Sequence, residues 1–162
     1  MASGGGPTVN DDVDGAVVSV VTGSAEHLAL AERVAAMINE AYGRARVDPD
    51  EVRGRLASGD RAGANRVLHL GFCAGELVGC VSSTLQAGWT KEGCGHWGLL
   101  VVAVAAQGRG VATALVRAAE ARLVAGGCAQ VGPSVAKQPR TYARSEPWSA
   151  RAAGAGAGAD RV

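Results

Sequence analysis

The stretch Trp97–Val124 constrains the fold most, because it joins an apolar segment to a glycine-rich turn and then to a helical pattern. The segment contains a nearly continuous run of large aliphatic side chains: Leu99, Leu100, Val101, Val102 and Val104. A strand that is buried on both faces requires such a run. After Gly108 and Gly110, apolar side chains recur at roughly helical spacing, at Val111, Leu115, Ala118, Ala119, Leu123 and Val124. The sequence therefore predicts a buried strand, a tight turn, and a helix that begins within the turn.

The turn itself has the features of an anion-binding site. The first turn of a helix leaves backbone N–H groups unpaired and carries the positive end of the helix dipole. Gly108 and Gly110 have no side chains to block an approaching phosphate, and Arg109 adds a positive charge. We therefore expect a phosphate group to bind at this turn. An ordinary glycine-rich connection between a strand and a helix is the alternative interpretation.

The flanking sequence predicts the elements that surround this unit. In chain order these are a strand at Ala16–Val21, a helix from Ala25 to about Tyr42, a short helix after Asp48 to about Leu56, a hairpin of Arg66–Cys73 and Glu76–Ser82, and a strand that begins at Cys128. Ser24 and Asp48 are typical helix-capping residues, and Ala74-Gly75 is a typical hairpin turn. Because a helix separates the strand at Cys128 from the central strand, we expect those two strands to be parallel.

Composition and charge exclude several classes of protein. The chain has 162 residues, 48% of them hydrophobic, which suits one domain with a real core. Its 16 Lys and Arg residues are dispersed and balanced by 15 acids, so we expect no nucleic-acid partner. The four cysteines form no CxxC pair and have no clustered histidines, so no metal site is predicted. The sequence also lacks a signal-peptide pattern and an apolar segment of membrane length, so we expect a soluble, cytoplasmic protein without a membrane partner, a nuclear location staying open.

The central unit resembles the GCN5-related N-acetyltransferases, the GNAT family. Their coenzyme A signature is Gln or Arg, two residues, Gly, one residue, then Gly or Ala, and here it reads Gln107-x-x-Gly110-x-Ala112. Val102 lies five residues before Gln107, where the family also favours Val. The order of elements from about residue 16 to residue 131 is similar to that of the family. The resemblance implies an α/β (α+β) fold with a mixed, mostly antiparallel sheet flanked by helices, in which the two central parallel strands splay apart.

The chain departs from the family pattern after Val131. Family members continue with a helix and a final pair of strands, whereas the segment 143–162 has alternating Ala and Gly and almost no large apolar residue. We therefore expect an N-acetyltransferase domain at residues 15–142 that lacks the last strands of the fold. Disordered tails are expected at residues 1–14 and 143–162, and the strand from Cys128 is expected to form an edge of the sheet.

The resemblance also implies a co-substrate, acetyl-coenzyme A. It assigns the pairing with the pantetheine amides to the backbone of the central strand, and the cradling of the pyrophosphate to the amides of the turn. The implied cofactor-binding residues are Leu100, Val101, Val102, Gln107, Gly108, Arg109, Gly110, Val111, Ala112 and Thr113.

The implied reaction is transfer of an acetyl group to an amine. An alkylammonium with a pKa of about 10 is not a nucleophile, so a base must take its proton, and an acid should protonate the departing thiolate. Glu92 and His96, near the start of the central strand, are the candidate bases; a solvated loop acid and a strand-end residue are the alternatives. Tyr142, eleven residues after Val131 as in family members, is the candidate acid. In this family a backbone N–H of the central strand stabilises the carbonyl oxygen.

The acceptor is expected to be a small-molecule amine or a protein amine. Whether the chain forms a homodimer is left undecided by the sequence. Asn39, Glu40 and Tyr42, at the end of the first helix, are candidate acceptor contacts, with a solvated helix end as the alternative. His69 lies among apolar neighbours and is predicted to be a core residue. The alternative function is a non-catalytic or truncated GNAT-like domain that binds acyl-coenzyme A. A nucleotide-binding domain is disfavoured, because the sequence has no GxxxxGK[ST] and no GxGxxG opening its first helix.

Overall fold

A computed structural model of the chain describes residues 9–13, 16–133 and 142–143. Its strands are β1 (Val9–Val13), β2 (Ala16–Thr22), β3 (Arg66–Cys73), β4 (Glu76–Thr84), β5 (Cys94–Val102), β6 (Gln130–Pro133) and β7 (Tyr142–Ala143). Its α-helices are α1 (Ala31–Tyr42), α2 (Pro49–Ser58) and α3 (Val111–Ala125), and two 3-10 segments lie at Ala25–Leu30 and Val104–Ala106.

The strands form one sheet in which they follow one another in chain order from β1 to β7. Every neighbouring pair is antiparallel except β5 and β6, which are parallel and are joined by the crossover helix α3. The structure thus confirms the predicted mixed, mostly antiparallel sheet with flanking helices. It also confirms that the strand after α3 is parallel to the central strand β5.

Both ends of the described sheet differ from the sequence-based expectation. Val9–Val13 form β1 against β2, whereas the sequence predicted a disordered tail over residues 1–14. The polar residues between the two valines give no strand pattern, and pairing with β2 overrides their low strand propensity. At the other end, the two residues of β7 pair with β6, which was expected to be an edge. The predicted tail beyond Ala143 lies outside the described residues.

The helices begin and end where their local chemistry favours it. The predicted first helix is divided, because Ala25–Leu30 is 3-10 and the α-helix begins at Ala31. α1 ends at Gly43, whose φ of +63° suits a residue without a side chain. The Asp48 carboxylate accepts a hydrogen bond from the N–H of Glu51 at 2.8 Å and caps α2, as the sequence predicted.

The sheet separates two apolar layers. On one side, called the α3 face, helix α3 packs against the inward side chains of β2, β4 and the first half of β5, among them Val18, Val81 and Trp97. On the other side, called the α1/α2 face, α1 and α2 cover side chains of β3, β4 and the second half of β5, among them Leu68, Leu70, Cys80, Leu99 and Val101. The large apolar side chains of β5 therefore divide between both layers, as its continuous apolar run predicted.

His69 belongs to the α3 face and is a core residue, as predicted. Its Nε2 lies 2.8 Å from the Ser83 hydroxyl, which also accepts a hydrogen bond from the Arg122 guanidinium at 3.0 Å. Burial, and secondly the charge of Arg122, lowers the pKa of His69 to about 4. The imidazole is therefore neutral at pH 7 and satisfied inside the fold.

Two glycines allow α3 to approach the sheet closely. Gly71 and Gly79 face each other on β3 and β4. A Cβ at Gly79 would lie 2.7 Å from the Val101 carbonyl oxygen and 2.9 Å from Cδ1 of Leu115. At Gly71 it would lie 3.3 Å from the other methyl group of Leu115. The first half of α3 is therefore seated on strand backbone, which fixes the height of the preceding turn above the sheet.

We predict opposite effects of alanine at two glycines. Gly79→Ala should lower the free energy of unfolding by about 1–3 kcal/mol, because the new methyl group overpacks the contact with α3. Gly54→Ala is the control: Gly54 is exposed inside α2, a Cβ there meets nothing within 4 Å, and alanine should raise stability by about 1 kcal/mol. Urea unfolding measures both. A Gly79→Ala protein as stable as the wild type would contradict the close seating of α3.

Candidate active site

β5 carries one residue more than the strand beside it. Leu99 and Leu100 together lie opposite the single residue Val81 of β4, which is a β-bulge. Leu99 has a φ of +50°, in the left-handed region that costs a residue with a side chain about 1–2 kcal/mol. Because Leu99 is nevertheless buried in the α1/α2 layer, its packing holds the bulge in place.

The bulge reverses the alternation of side chains along β5. In a regular strand, residues two apart share a face. Trp97 instead packs in the α3 layer while Leu99 packs in the α1/α2 layer. Leu100 then returns to the α3 layer. The extra residue thus lets a single strand contribute apolar side chains to both cores.

The second half of β5 has a free edge. β6 pairs with β5 only from Cys94 to Trp97. Among the described residues, no strand pairs with Gly98–Val102 on that side, so the outward backbone N–H and C=O groups there can pair with another extended chain. Three of the predicted cofactor-binding residues, Leu100, Val101 and Val102, lie on this edge.

The glycine turn follows this edge directly. Gly108 and Gly110 both have a φ of +75°, which residues with side chains rarely adopt. The first hydrogen bond of α3 runs from the N–H of Ala114 to the carbonyl of Gly110, at 3.0 Å. The N–H groups of the preceding residues, from Val111 to Thr113, therefore have no acceptor within the helix. A Cβ at Gly108 would meet nothing within 4 Å, so the space above the turn is open.

The other predicted residues of the turn take different positions. The Gln107 side chain donates a hydrogen bond to the Val102 carbonyl at 3.3 Å, and so ties the turn to the end of β5. Arg109 is exposed. Val111 is buried in the α3 layer, so only its backbone can face a ligand, whereas Ala112 is half-buried on the first turn of α3.

His96 lies in the first half of β5 on the α1/α2 face, directly opposite Thr84. Only 6% of its surface is exposed, and neither ring nitrogen has a hydrogen-bond partner among the described residues. Burial, and secondly the charge of Arg66, lowers the pKa of His96 below its usual 6.5. The exposed ring of Trp89 lies beside it, with 5.1 Å between the ring centroids. The imidazole is thus neutral at pH 7 and has a free nitrogen that can accept a proton.

The other two candidate catalytic residues, Glu92 and Tyr142, lie on other elements than His96. Glu92 is exposed in the turn that leads into β5, where solvent surrounds its carboxylate. The backbone of Tyr142 lies in β7 opposite Val131, and its side chain lies outside the described residues. Their catalytic roles therefore stay predictions.

Asn39 holds the loop between α1 and α2. Its side-chain oxygen accepts hydrogen bonds from the N–H groups of Arg46 and Val47, at 2.7 and 3.0 Å, and its amide donates to the Val47 carbonyl at 2.8 Å. These bonds position the loop, and the acceptor contact of Asn39 stays a prediction. Glu40 and Tyr42 are exposed, and the Arg46 guanidinium lies 5.9 Å from the centre of the Tyr42 ring.

The polar residues around His96 could not be recognised in the sequence. Arg66, Thr84 and His96 are successive cross-strand partners on β3, β4 and β5. Arg55 of α2, a helix that packs on β3, is close enough to Arg66 to lower its pKa. We call these four residues the polar cluster. In the described part of the chain, the buried side-chain atoms without a hydrogen-bond partner all belong to it: Arg55 Nη1, Thr84 Oγ1, His96 Nδ1 and His96 Nε2. No sequence motif marks these residues, because only strand register brings them together.

The described residues lack two further kinds of feature. They contain no group of three His, Cys, Asp or Glu side chains that could hold a metal ion. None of the helices they form is both long and apolar enough to cross a membrane.

Comparison with known proteins identifies a family. The family described as "Acetyltransferase (GNAT) family" matches residues 31–143 of the chain. No curated protein matches the chain.

Several solved structures are similar in fold. The GNAT domain of S. lividans PAT is 18% identical, with a TM-score of 0.61 over 78% of this chain and 77% of that one. An aminoglycoside acetyltransferase from an uncultured soil metagenomic sample, in complex with sisomicin, is 14% identical, with a TM-score of 0.58 over 74% and 78%. The PaiA N-acetyltransferase of Thermoplasma acidophilum, in complex with coenzyme A, is 13% identical, with a TM-score of 0.58 over 76% and 82%. At these identities the likeness shows the fold.

Proposed function

The chain belongs to the GNAT acetyltransferase family, and from this premise we propose that it transfers the acetyl group of acetyl-coenzyme A to an amine. The observation that carries the proposal is the continuity of the free edge of β5 with the glycine turn. Together the two features span residues 98–113 and present unpaired backbone groups one after the other. An elongated ligand with an amide-bearing arm and a diphosphate fits this order.

Coenzyme A has both of these parts. The amides of its pantetheine arm can pair with the outward backbone groups of Gly98–Val102, as an added strand would. Its pyrophosphate is an anion that suits the N–H groups at the start of α3 and the positive end of the helix dipole. The left-handed glycines keep side chains out of its way, and exposed Arg109 adds positive charge. The similar structure of the PaiA N-acetyltransferase, which is in complex with coenzyme A, supports this assignment.

The chemical step replaces a thioester by an amide. The amine nitrogen attacks the acetyl carbon, the C–N bond forms, and the C–S bond of acetyl-coenzyme A breaks. The carbonyl oxygen gains negative charge during attack, and we assign its stabilisation to a backbone N–H of β5 near the bulge. Tyr142 is the proposed acid that gives its proton to the departing thiolate, and it recovers a proton from solvent.

His96 is the proposed base that takes the ammonium proton, directly or through one water. It is neutral at pH 7 because burial and Arg66 both disfavour its charged form. Its ring nitrogens are unpartnered, whereas the Glu92 carboxylate is exposed in a loop. We therefore favour His96 over Glu92 for this role.

We predict that the pH dependence of His96→Gln distinguishes a role of His96 as the general base from a structural role. In the wild type, kcat/KM should fall as the pH drops through the pKa of His96, which lies below 6.5. His96→Gln should lower kcat/KM by about 10²–10⁴-fold at pH 7 and by less near pH 10, where free amine is already present. The control is His27→Gln, which changes the half-buried histidine of the 3-10 segment and should leave the profile unchanged. Uniform loss across the pH range, or a larger loss in Glu92→Gln, would remove His96 from the role.

We predict that Gly108→Asp weakens coenzyme A binding by at least about tenfold, or about 1.4 kcal/mol, because its carboxylate repels the pyrophosphate. Gly75→Asp is the matched control. Gly75 has a φ of +78°, a Cβ there also meets nothing within 4 Å, and it lies in the β3–β4 hairpin. Both variants thus carry the same backbone strain and added charge. Calorimetry with coenzyme A compares them, and equal affinities would show that the pyrophosphate binds elsewhere.

A further inference from the structure

A row of polar side chains crosses the sheet beside the proposed base. Arg66, Thr84 and His96 are successive cross-strand partners, so their side chains share the α1/α2 face. Adjacent strands lie about 4.8 Å apart, which puts Thr84 between the arginine and the imidazole. The Thr84 hydroxyl is buried and has no hydrogen-bond partner among the described residues. The row therefore offers a hydroxyl and a guanidinium to any molecule that reaches His96.

A second guanidinium lies close to Arg66, at one end of this row. Arg55 of α2 is only 17% exposed, and its Nη2 pairs with the Glu51 carboxylate one turn earlier. Its Nη1 is buried without a partner in the described part of the chain. A buried donor on a charged group costs stability when it stays unpaired. Nη1 of Arg55 can therefore donate a further hydrogen bond.

The local charge is positive. Arg66 is close enough to Arg55 and Arg46 for both to lower its pKa, after burial, while Glu51 is the one acid that opposes them. Within the described residues, Arg66 forms no ion pair with a carboxylate. By contrast, Arg33 pairs with Glu76, and Arg53 pairs with Glu32 and Asp50. Around Arg66, three guanidinium groups thus share one carboxylate.

We propose that the acceptor amine also carries an oxyanion group, a carboxylate or a phosphate, and that Arg66, Arg55 and Thr84 bind this group beside His96. This inference rests on the proposed amine acetylation. Guanidinium groups bind planar or tetrahedral oxyanions through paired N–H donors, and a hydroxyl completes the set. The same charges disfavour an acceptor that carries several ammonium groups, because like charges repel at close range.

Matched pairs of acceptors test this substrate class. Release of free thiol from acetyl-coenzyme A is measured with α-amino acids and their carboxamides, and with glucosamine 6-phosphate and glucosamine. The anionic member of at least one pair should have a kcat/KM at least tenfold higher than that of its neutral partner. The pair that shows the preference distinguishes a carboxylate from a phosphate. Equal or higher kcat/KM for the neutral members, or for a polycationic amine, would overturn the inference while leaving acetyl transfer intact.

Arginine variants test whether Arg66 binds the anionic group of the acceptor. Arg66→Gln should raise KM for the anionic acceptor at least tenfold, with less than a twofold change for its neutral partner, and Arg66→Lys should restore part of the loss. Arg53→Gln is the control, because Arg53 lies on the same helix as Arg55 but pairs with Glu32 and Asp50, and it should change neither. Equal loss for anionic and neutral acceptors in Arg66→Gln would show a structural role and overturn the assignment.

A binding measurement separates this inference from the proposed reaction. Calorimetry with inorganic phosphate and with an N-acetyl amino acid needs no turnover. One of these anions should bind to the wild type and to Arg53→Gln at least tenfold more tightly than to Arg66→Gln. Equal affinities in the three proteins would overturn the anion site. If no amine releases thiol, the proposed function fails, and this comparison alone decides whether the site binds anions.

Discussion

The extra residue in β5 is the constraint on which the rest of the structure depends. It places Leu99 in the α1/α2 core and Leu100 against α3, so one strand closes both layers of the molecule. The left-handed backbone at Leu99 costs about 1–2 kcal/mol, which burial of its side chain, at about 1.5–3 kcal/mol, offsets. The bulge begins just beyond Trp97, where pairing with β6 stops. The same feature that completes the core therefore marks where the sheet opens for a ligand.

This opening separates two kinds of chemistry along one strand. The second half of β5 and the glycine turn present backbone groups, which suit the amides and the pyrophosphate of coenzyme A. The first half presents the buried His96 side chain on the α1/α2 face, next to the positive charges of the polar cluster. In the proposed reaction the acyl donor arrives along the edge and the amine arrives from this face.

Local patterns predicted the parts of the fold that depend on local chemistry. The apolar run, the glycines and the helical spacing predicted the order β5, turn and α3, and Asp48 predicted the start of α2. The bulge could not be predicted, because side chains on both faces of an all-apolar strand can be buried. The sequence pattern therefore does not show where the alternation of side chains reverses. β1 was missed because sheet pairing overrides the polar residues between Val9 and Val13. The polar cluster was missed because register, and no motif, brings its residues together.

Amide hydrogen exchange with and without coenzyme A tests the central claim most directly, which is that the free edge of β5 and the start of α3 form the cofactor site. At saturating coenzyme A, exchange should slow for the outward amides of residues 98–102 and for those of residues 108–113. The amides of the β3–β4 hairpin turn should exchange as before. Unchanged exchange in both segments while coenzyme A is bound, with slowing confined to another part of the chain, would contradict the account.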